Sequence, residues 1–405
     1  MKILNTDQFV SERVKVKPVT NAELDKFKKY RYFPNTKDEL QRLIIEHVEK
    51  DGDECDLNDI YTGNIVDMSY LFSINKLSKF NGNISQWDVS NVTNMEHMFK
   101  NAKKFNRPIG GWDVSKVYTM RHMFENTESF NQPIGNWTVS AVKNMEAMFK
   151  CARAFNQDIS EWDVSNVNNM GEMFRGAVTF DQPVGEWKQK VSNVRTMYSM
   201  FRSAKMFNHP IGDWDVSKVT DMNAMFFNAE SFDKDIKDWN VSSVVDMSYM
   251  FYNAASFNQP IGEWKQKVSK VCYMSYMFNC AEKFNQDISE WDVSNVISMA
   301  HMFDCAKAFD QPIGKWGEKM SKVYSMENMF TNAISFNQPL KDWNVSKVIT
   351  MKEMFDGAIS FMQDLSGWDI TSLYHKTHMF KNCPMSKHRN LQPKKNKNNI
   401  SSNDI

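Results

Sequence analysis

The sequence predicts an α/β solenoid, a stack of about 13 repeats that each contribute a short strand and a short helix, with a helical cap at the N-terminus. The first observation is the tryptophan spacing, since eight of the eleven intervals between tryptophans are 25 residues and three are 27. The second is that Met, Phe, Val and Ala recur at fixed places beside each tryptophan. The third is a two-residue insertion after Trp187, Trp264 and Trp316, which accounts for the longer intervals. A fixed period in this range indicates a repeat array rather than separate globular domains.

The N-terminal segment is expected to end in the cap. Residues 1–37 are basic and irregular, whereas residues 38–50 place Leu40 and Leu43 at helical spacing after Thr36, a residue type that caps helices. We expect this amphipathic helix to cover the first repeat, because the terminal repeat of a solenoid exposes an apolar face. The predicted domains are a basic segment with the capping helix at 1–50, the solenoid at 51–383 and a disordered basic tail at 384–405.

Within one repeat, the segment from Asn94 to Asn101 predicts the helix. Met95, Met98 and Phe99 fall at the i, i+3 and i+4 positions of one helical face. Asn94 is a helix-capping residue type, and Asn101 tolerates the left-handed conformation that ends helices. We therefore expect a helix of about two turns, which is stable only through packing.

The strand is predicted in the segment FNQPIGxW, which spans residues 130–137 in one copy. Pro133 and Gly135 exclude a helix there, so we expect an extended segment that pairs with its copies above and below. The next segment, DVSNV, carries a recurrent serine, which is Ser90 in its first copy. We expect its hydroxyl to bond the backbone of the adjacent repeat, because a buried polar group must be paired.

Composition excludes several classes of function. The net charge is zero and 24% of residues are charged, so no nucleic-acid partner is expected. The six cysteines form no CxxC pattern and indicate reduced thiols, and we expect neither a metal nor a cofactor. No constellation of His, Cys or carboxylate interrupts the repeat as a catalytic site would, so the chain is predicted not to be an enzyme. No apolar run is long enough to span a membrane, and the N-terminus lacks a signal-like run, which favours a cytoplasmic monomer.

The recurring side chains allow a structural and a functional interpretation. The paired methionines, such as Met95 and Met98, are an oxidant sink or core residues, and the tryptophan column is a sugar-stacking platform or core. Their place on the apolar face favours the core in both cases. Cys280 and Cys305 share one column of adjacent repeats, and two thiols are the simpler expectation because a disulfide needs specific geometry.

The residues immediately before the tryptophans form an acidic stripe, which is the first candidate binding surface. Stacked like charges repel, so folding alone does not require them. A role in binding a basic protein patch or cations and a role in preventing aggregation at an exposed edge both remain open. The stripe comprises Glu161, Glu186, Asp213, Asp238, Glu263, Glu290 and, beyond Lys315, Asp342.

A second candidate surface, the aromatic patch, lies at variable positions of the predicted helices in neighbouring repeats. Exposed aromatic side chains cluster at protein interfaces, although rings can also tuck between helices. The aromatic patch comprises Tyr198, Phe227, Tyr249, Tyr252 and Tyr276.

The segments WDVSNVTNMEHMF and FNQDIS resemble the repeat of the bacterial BspA-like leucine-rich-repeat surface proteins. The resemblance covers residues 51–383 and implies a leucine-rich-repeat-like solenoid, with Met, Phe and Trp at positions where leucine-rich repeats use Leu. It also implies non-enzymatic recognition or adhesion of a protein partner, and a cell-surface or secreted location as the alternative to the cytoplasm. The competing functions are a passive structural or self-associating rod and cation binding along the acidic stripe.

Overall fold

A computed structural model describes residues 26–394. These residues fall into two compact units, which lie within Met1–Asp163 and Val164–Ile405 and are called the N-terminal unit and the C-terminal unit. Each unit consists of stacked repeats, and consecutive repeats within a unit are joined by isolated parallel bridges. Repeated units forming a solenoid are therefore observed within each unit, as the tryptophan period predicts.

Helix α1 spans Lys37–Asp51 and corresponds to the capping helix predicted from sequence. The Thr36 hydroxyl accepts a hydrogen bond from the Glu39 amide at 3.2 Å and so caps the first turn. Leu40 and Leu43 are fully buried, which gives the helix the apolar face that the sequence spacing indicates.

Helix α1 also supplies hydrogen-bond donors to the first repeat. Gln41 Nε2 donates to the carbonyl oxygens of Tyr70 and Leu71 at 3.3 and 3.0 Å. Lys37 Nζ lies 3.1 Å from the Ser69 hydroxyl. Elsewhere along the stack, backbone carbonyls accept hydrogen bonds from amides of the preceding repeat. The first repeat has no preceding repeat, so side chains of helix α1 supply donors to its carbonyls instead.

The prediction of a helix within each repeat is wrong, because α1 is the only α-helix in residues 26–394. The segment instead forms successive turns in which alternate amides bond in different directions. The Met98 amide donates back to the Met95 carbonyl at 3.2 Å, whereas the His97 amide donates to the Arg121 carbonyl of the next repeat at 2.9 Å. Acceptors on the neighbouring repeat thus replace the i−4 carbonyls that a helix would use.

Two left-handed residues in each regular repeat accompany this hydrogen-bond pattern. Asn101 has φ 65°, which confirms the predicted left-handed position, and the equivalent Gly176 has φ 70°. A second left-handed position lies four residues earlier, at His97, with φ 56°. This second position could not be predicted from the sequence, because residue types as varied as His, Tyr, Ala and Glu occupy it.

The strand predicted in FNQPIGxW is also wrong. Apart from two bridges at the N-terminal end, Tyr32 with Ile60 and Asp56 with Asn83, the parallel bridges lie at the position before the first Met, as in the pair Asn94 and Thr119. Among the described copies of FNQPIGxW, a bridge is therefore observed only in the first, at residues 80–87. Side chains link the repeats there, since the Asn131 amide donates to Asn106 Oδ1 at 3.0 Å. Pro133 carries no N–H and cannot take part in a backbone ladder.

The core of each unit consists of stacked columns of identical residues. In the N-terminal unit the rings of Phe99 and Phe124 lie 5.5 Å apart and 2° from parallel. Trp137 is 4% exposed, and its indole Nε1 donates to the Ile109 carbonyl one repeat earlier at 3.2 Å. Met95 is fully buried, so the methionine column and the tryptophan column both belong to the core, as the sequence pattern favours.

The Ser90 hydroxyl bonds within its own repeat rather than to the adjacent one, contrary to the sequence expectation. The Ser90 hydroxyl donates to Asp88 Oδ1 at 2.7 Å, and the Ser90 amide donates to the same oxygen at 3.0 Å. The Asp two residues earlier accepts both bonds and so closes a local turn. Ser346 and Thr371 bond Asn344 and Asp369 in the same way.

The longer repeats accommodate their two extra residues as 3₁₀ helices. Each contains a left-handed residue directly after the tryptophan, with φ between 29° and 41°, so the insertion changes the chain path locally. The left-handed residues are Lys188, Lys265 and Gly317. The 3₁₀ helices span Val184–Val191, Ile261–Val268 and Ile313–Met320, and two shorter ones span Asn75–Leu77 and Pro384–Lys387.

The described part of the C-terminal tail is ordered, which differs from the disorder expected from residue 384 onward. Met385 is fully buried, and the Leu365 amide donates to the Leu391 carbonyl at 2.9 Å. These contacts fasten residues 384–391 to the last complete repeat. The rest of the predicted tail, 395–405, and residues 1–25 of the basic segment lie outside the described residues. No described helix has both the length and the apolar character needed to cross a bilayer.

Candidate functional site

Four rings of the aromatic patch form two stacked pairs on the C-terminal unit. Tyr249 and Tyr276 lie 4.6 Å apart and 7° from parallel, and Phe227 and Tyr252 lie 4.4 Å apart and 4° from parallel. The pairs adjoin, because Tyr249 and Tyr252 are 6.1 Å apart with their planes tilted by 45°. The repeat register causes this arrangement, since each pair joins equivalent positions of consecutive repeats.

The side chains of Arg202 and His301 extend the two stacked pairs. The Arg202 guanidinium lies 4.1 Å from the centroid of the Phe227 ring, and the His301 ring stacks on Tyr276 at 4.3 Å. Tyr198, the fifth member of the patch, fills the space that a side chain at Gly171 would need. The patch therefore contains two adjoining stacked pairs of rings, with Tyr198 in a separate column.

The patch rings are half-buried, because each covers one face with its neighbour and leaves part of its edge in solvent. Burial raises the pKa of the Tyr252 and Tyr276 hydroxyls. The fold does not require aromatic residues here, since Ser199 and Asn328 occupy the column of Tyr249 in other repeats. The rings therefore pack on each other and keep part of their surface accessible.

The acidic stripe is exposed, but lysines compensate part of its charge. A hydrogen bond from Lys315 Nζ at 2.7 Å lowers the pKa of Glu290. This lysine is the residue that interrupts the stripe in sequence. The other ion pairs are Glu186 with Lys188 at 3.0 Å and Glu263 with Lys265 at 3.1 Å. Glu161, in the N-terminal unit, and Asp342 are exposed as well.

Asp213 and Asp238 line a surface groove of about 440 Å³ in the C-terminal unit. Lys188, Lys234 and Lys237 line the same groove, so its walls carry both signs of charge. A groove lined by both carboxylates and ammonium groups suits a charged polypeptide better than a bare cation, because the lysines repel a cation.

The cysteine pair of the C-terminal unit is observed as free thiols. A hydrogen bond from the Cys305 thiol lowers the pKa of Cys280, and the same bond raises the pKa of Cys305. The adjacency inferred from the shared column is therefore present.

A cluster in the N-terminal unit was not singled out from the sequence. His97, His122 and Glu125 each place one potential ligand atom within 4.8 Å of the others. The signal that could have identified it is a histidine in the same column of two consecutive repeats, with a carboxylate three residues after the second.

Nothing in the described residues assembles a catalytic nucleophile with its base. Six of the eight histidine side chains contact carboxylates, other rings or a backbone carbonyl, as in His47 Nδ1 to the Leu43 oxygen. A Ser or Cys nucleophile requires a base within hydrogen-bond reach.

Comparisons with known proteins identify a repeat family. A sequence model of the family described as "Mycoplasma protein of unknown function, DUF285" matches residues 45–156, 109–191, 134–233, 188–268, 265–319 and 318–402. Among solved structures, the crystal structure of a TLR13–ssRNA13 complex aligns with a TM-score of 0.22 and 10% identity. The alignment covers 86% of this chain, and it spans 57% of the TLR13 chain. No curated protein sequence matches.

Proposed function

We propose that this chain, which belongs to the repeat family described as Mycoplasma protein of unknown function, DUF285, is a non-enzymatic scaffold that recognises a protein partner. The observation that carries the proposal is the aromatic patch. Stacked rings beside Arg202 occupy positions where the fold accepts polar residues in other repeats. Packing alone therefore does not explain why aromatic residues are placed there.

The chemistry of the patch suits a protein interface. Tyr and Arg are enriched among the residues that contribute most to binding free energy, and Tyr offers a large contact area with few rotatable bonds. The stacking between Tyr249 and Tyr276 restricts both rings before a partner arrives. Because this order is already present, binding loses less side-chain entropy than it would with mobile rings.

The test uses substitutions that other repeats already carry at the same positions. The patch variant combines Phe227→Lys, Tyr249→Ser, Tyr252→Asn and Tyr276→Asn, which copy Lys150, Ser199, Asn279 and Asn328. The control is Tyr324→Thr, which removes an exposed tyrosine, 44% accessible, outside the patch.

Wild-type, control and patch-variant proteins are immobilised and exposed to separated cytosolic and surface fractions of the native host, and retained proteins are quantified. The proposal predicts at least one protein that wild type and control retain and the patch variant does not. Equal retention of every protein by all three would overturn it. The fraction that supplies the partner also decides between a cytoplasmic role and the surface adhesion that the BspA-like resemblance implies.

The acidic stripe is a second candidate contact surface for a basic protein patch. Its support is the exposure of Asp213 and Asp238 beside the mixed-charge groove. The variant Glu186→Gln, Asp213→Asn, Asp238→Asn and Glu263→Gln keeps side-chain shape and removes the charges. Capture should weaken most at low salt, where charge pairs are least screened. Unchanged capture at low salt would leave the stripe with the solubility role alone.

A self-associating rod is the competing function, and one observation favours it. Among the described residues, the amides of Lys376, His378 and Phe380 in the last repeat have no backbone acceptor, so this edge could pair with another chain. The lysines on the edge oppose such pairing. Light scattering separates the two functions, because a scaffold remains monomeric with increasing concentration and a rod grows.

A further inference from the structure

Two histidine rings and a carboxylate meet in the N-terminal unit. The rings of His97 and His122 stack with centroids 4.5 Å apart and planes 7° from parallel. The Glu125 carboxylate oxygen Oε2 lies 2.6 Å from His122 Nδ1. The three residues are 6%, 9% and 7% exposed, so the cluster is almost completely shielded from water.

One ring nitrogen of this cluster has no partner. His97 Nδ1 is buried, and it forms no hydrogen bond within the described residues. The other ring nitrogen, Nε2, faces the Glu96 carboxylate at 3.4 Å. Buried polar atoms in proteins are nearly always paired, so an unpaired imidazole nitrogen beside a second histidine and a carboxylate calls for a missing partner.

We propose that His97, His122 and Glu125 form a binding site for a divalent transition metal of the zinc class. Two imidazole nitrogens and one carboxylate oxygen are a ligand set that zinc uses in sites with an open fourth position. Imidazole ligands favour zinc, copper, nickel and iron over calcium and magnesium, which prefer oxygen ligands. Glu96 would act from the outer shell by accepting a hydrogen bond from His97 Nε2.

Metal binding requires Lys100 to leave the carboxylate. Lys100 Nζ lies 2.9 Å from Glu125 Oε2, and Lys150 Nζ lies 3.9 Å from Oε1 of the same group. The Lys100 side chain is 30% exposed, so solvent is open to it when it moves. One histidine ring must also rotate, because two parallel rings cannot direct their in-plane lone pairs at one ion.

The C-terminal unit contains a matched incomplete site. His301 and Asp304 occupy the same columns as His122 and Glu125, and His301 Nδ1 lies 3.1 Å from Asp304 Oδ2. Tyr276 stands where the equivalent of His97 would be, and it stacks on His301. This arrangement offers two ligands instead of three, so we expect it to bind metal far more weakly.

The experiment titrates metal-stripped, tag-free full-length protein with zinc in a calorimeter, and with cobalt in an absorption spectrometer. Wild type should bind one equivalent of zinc tightly, and cobalt should produce visible bands of a nitrogen- and oxygen-ligated ion. His97→Asn and His122→Asn retain a residue type that Asn328 supplies in the same column. These variants and Glu125→Gln should weaken zinc binding by more than about 100-fold, and Glu96→Gln by about 10-fold.

Three further variants provide the controls. His301→Asn should leave the titration unchanged, Lys100→Met should tighten zinc binding, and Tyr276→His should create a second equivalent by completing the other site. Circular dichroism without metal confirms that each variant is folded. The proposal is overturned if wild type binds no zinc, or if folded His97→Asn and His122→Asn bind zinc as wild type does.

Discussion

The indole Nε1 of Trp264 donates a hydrogen bond to the backbone carbonyl oxygen of Ile236, one repeat earlier, at 3.1 Å. The same bond joins Trp137 to Ile109 in the N-terminal unit. Within each unit, these tryptophans thus fill the core with their rings and link their repeats to the preceding ones. A leucine at this position would supply the apolar area but not the donor, which explains why the tryptophan recurs in every regular repeat.

Replacing Trp264 by Phe should destabilise the protein by about 1–3 kcal/mol. The substitution removes the N–H donor and leaves space beside the stacked Trp291 ring, which lies 5.9 Å away. Urea unfolding followed by circular dichroism measures the change. Tyr273→Thr, at an exposed position where other repeats carry Thr, should change stability by less than about 0.5 kcal/mol. Equal effects of the two substitutions would contradict the role of the indole.

Ser203 should tolerate Gly but not Val, because its φ is 58°. A β-branched residue in the left-handed region should cost about 1–2 kcal/mol, whereas Gly adopts that conformation freely. The Ser203 amide donates to the Phe227 carbonyl of the next repeat, so both variants keep this bond if the backbone is unchanged. Thermal unfolding of the two variants separates backbone strain from side-chain loss, and equal melting temperatures would refute the left-handed assignment.

Asp221→Asn should stabilise the protein at neutral pH. Burial, together with the charge of Asp246 in the bridged neighbouring repeat, raises the pKa of Asp221 above its usual 3.8. The folded state therefore holds this proton more tightly than the unfolded chain does. Stability falls as pH rises from the usual aspartate value through the raised one, and the loss persists at pH 7.

The expected gain is about 0.2–1 kcal/mol, the range for cross-strand pairs, because Asn keeps the acceptor for the Asn223 amide and removes the like charge. Asn already occupies this position at Asn94 and Asn169. Unfolding free energies of wild type and variant, measured from pH 3 to pH 7, provide the test. A difference that stays constant with pH would show that the carboxylate charge is not the cause.

Cys280 should be alkylated much faster than Cys383. The hydrogen bond from Cys305 lowers the pKa of Cys280, whereas burial raises the pKa of Cys383 to about 11. A rise of two units from the usual 9.0 leaves about 100-fold less thiolate at neutral pH, and the thiolate is the reactive form. Mass spectrometry of iodoacetamide-treated protein measures both rates. Cys305→Ala should slow modification of Cys280, and an unchanged rate would contradict the pairing.

The repeat, its core columns and the capping helix could be predicted from sequence, because each depends on residue spacing alone. The helix within the repeat could not. Met95, Met98 and Phe99 have helical spacing, but a run of turns places the same three residues in the core. What decides between them is the set of acceptors on the neighbouring repeat, such as the Arg121 carbonyl for His97, which no single repeat contains.

Sites formed between repeats could not be predicted from the sequence for the same reason. His97 and His122 are 25 residues apart in the sequence and come into contact only through the stacking register. For the acidic stripe, the sequence shows the charged residues but not the partners that compensate them. Its carboxylates were apparent in sequence, but the left-handed turn at Lys188, which places the ammonium beside Glu186, was not.

The most direct measurement of partner recognition is photo-crosslinking through a reactive amino acid placed at Tyr252, compared with one at Tyr324, in otherwise wild-type protein. Tyr252 lies within the stacked aromatic patch, and Tyr324 is an exposed tyrosine outside it. Recognition through the patch predicts a covalent adduct with the captured partner from position 252 and none from position 324. An adduct from position 324 alone, or equal adducts from both positions, would contradict it.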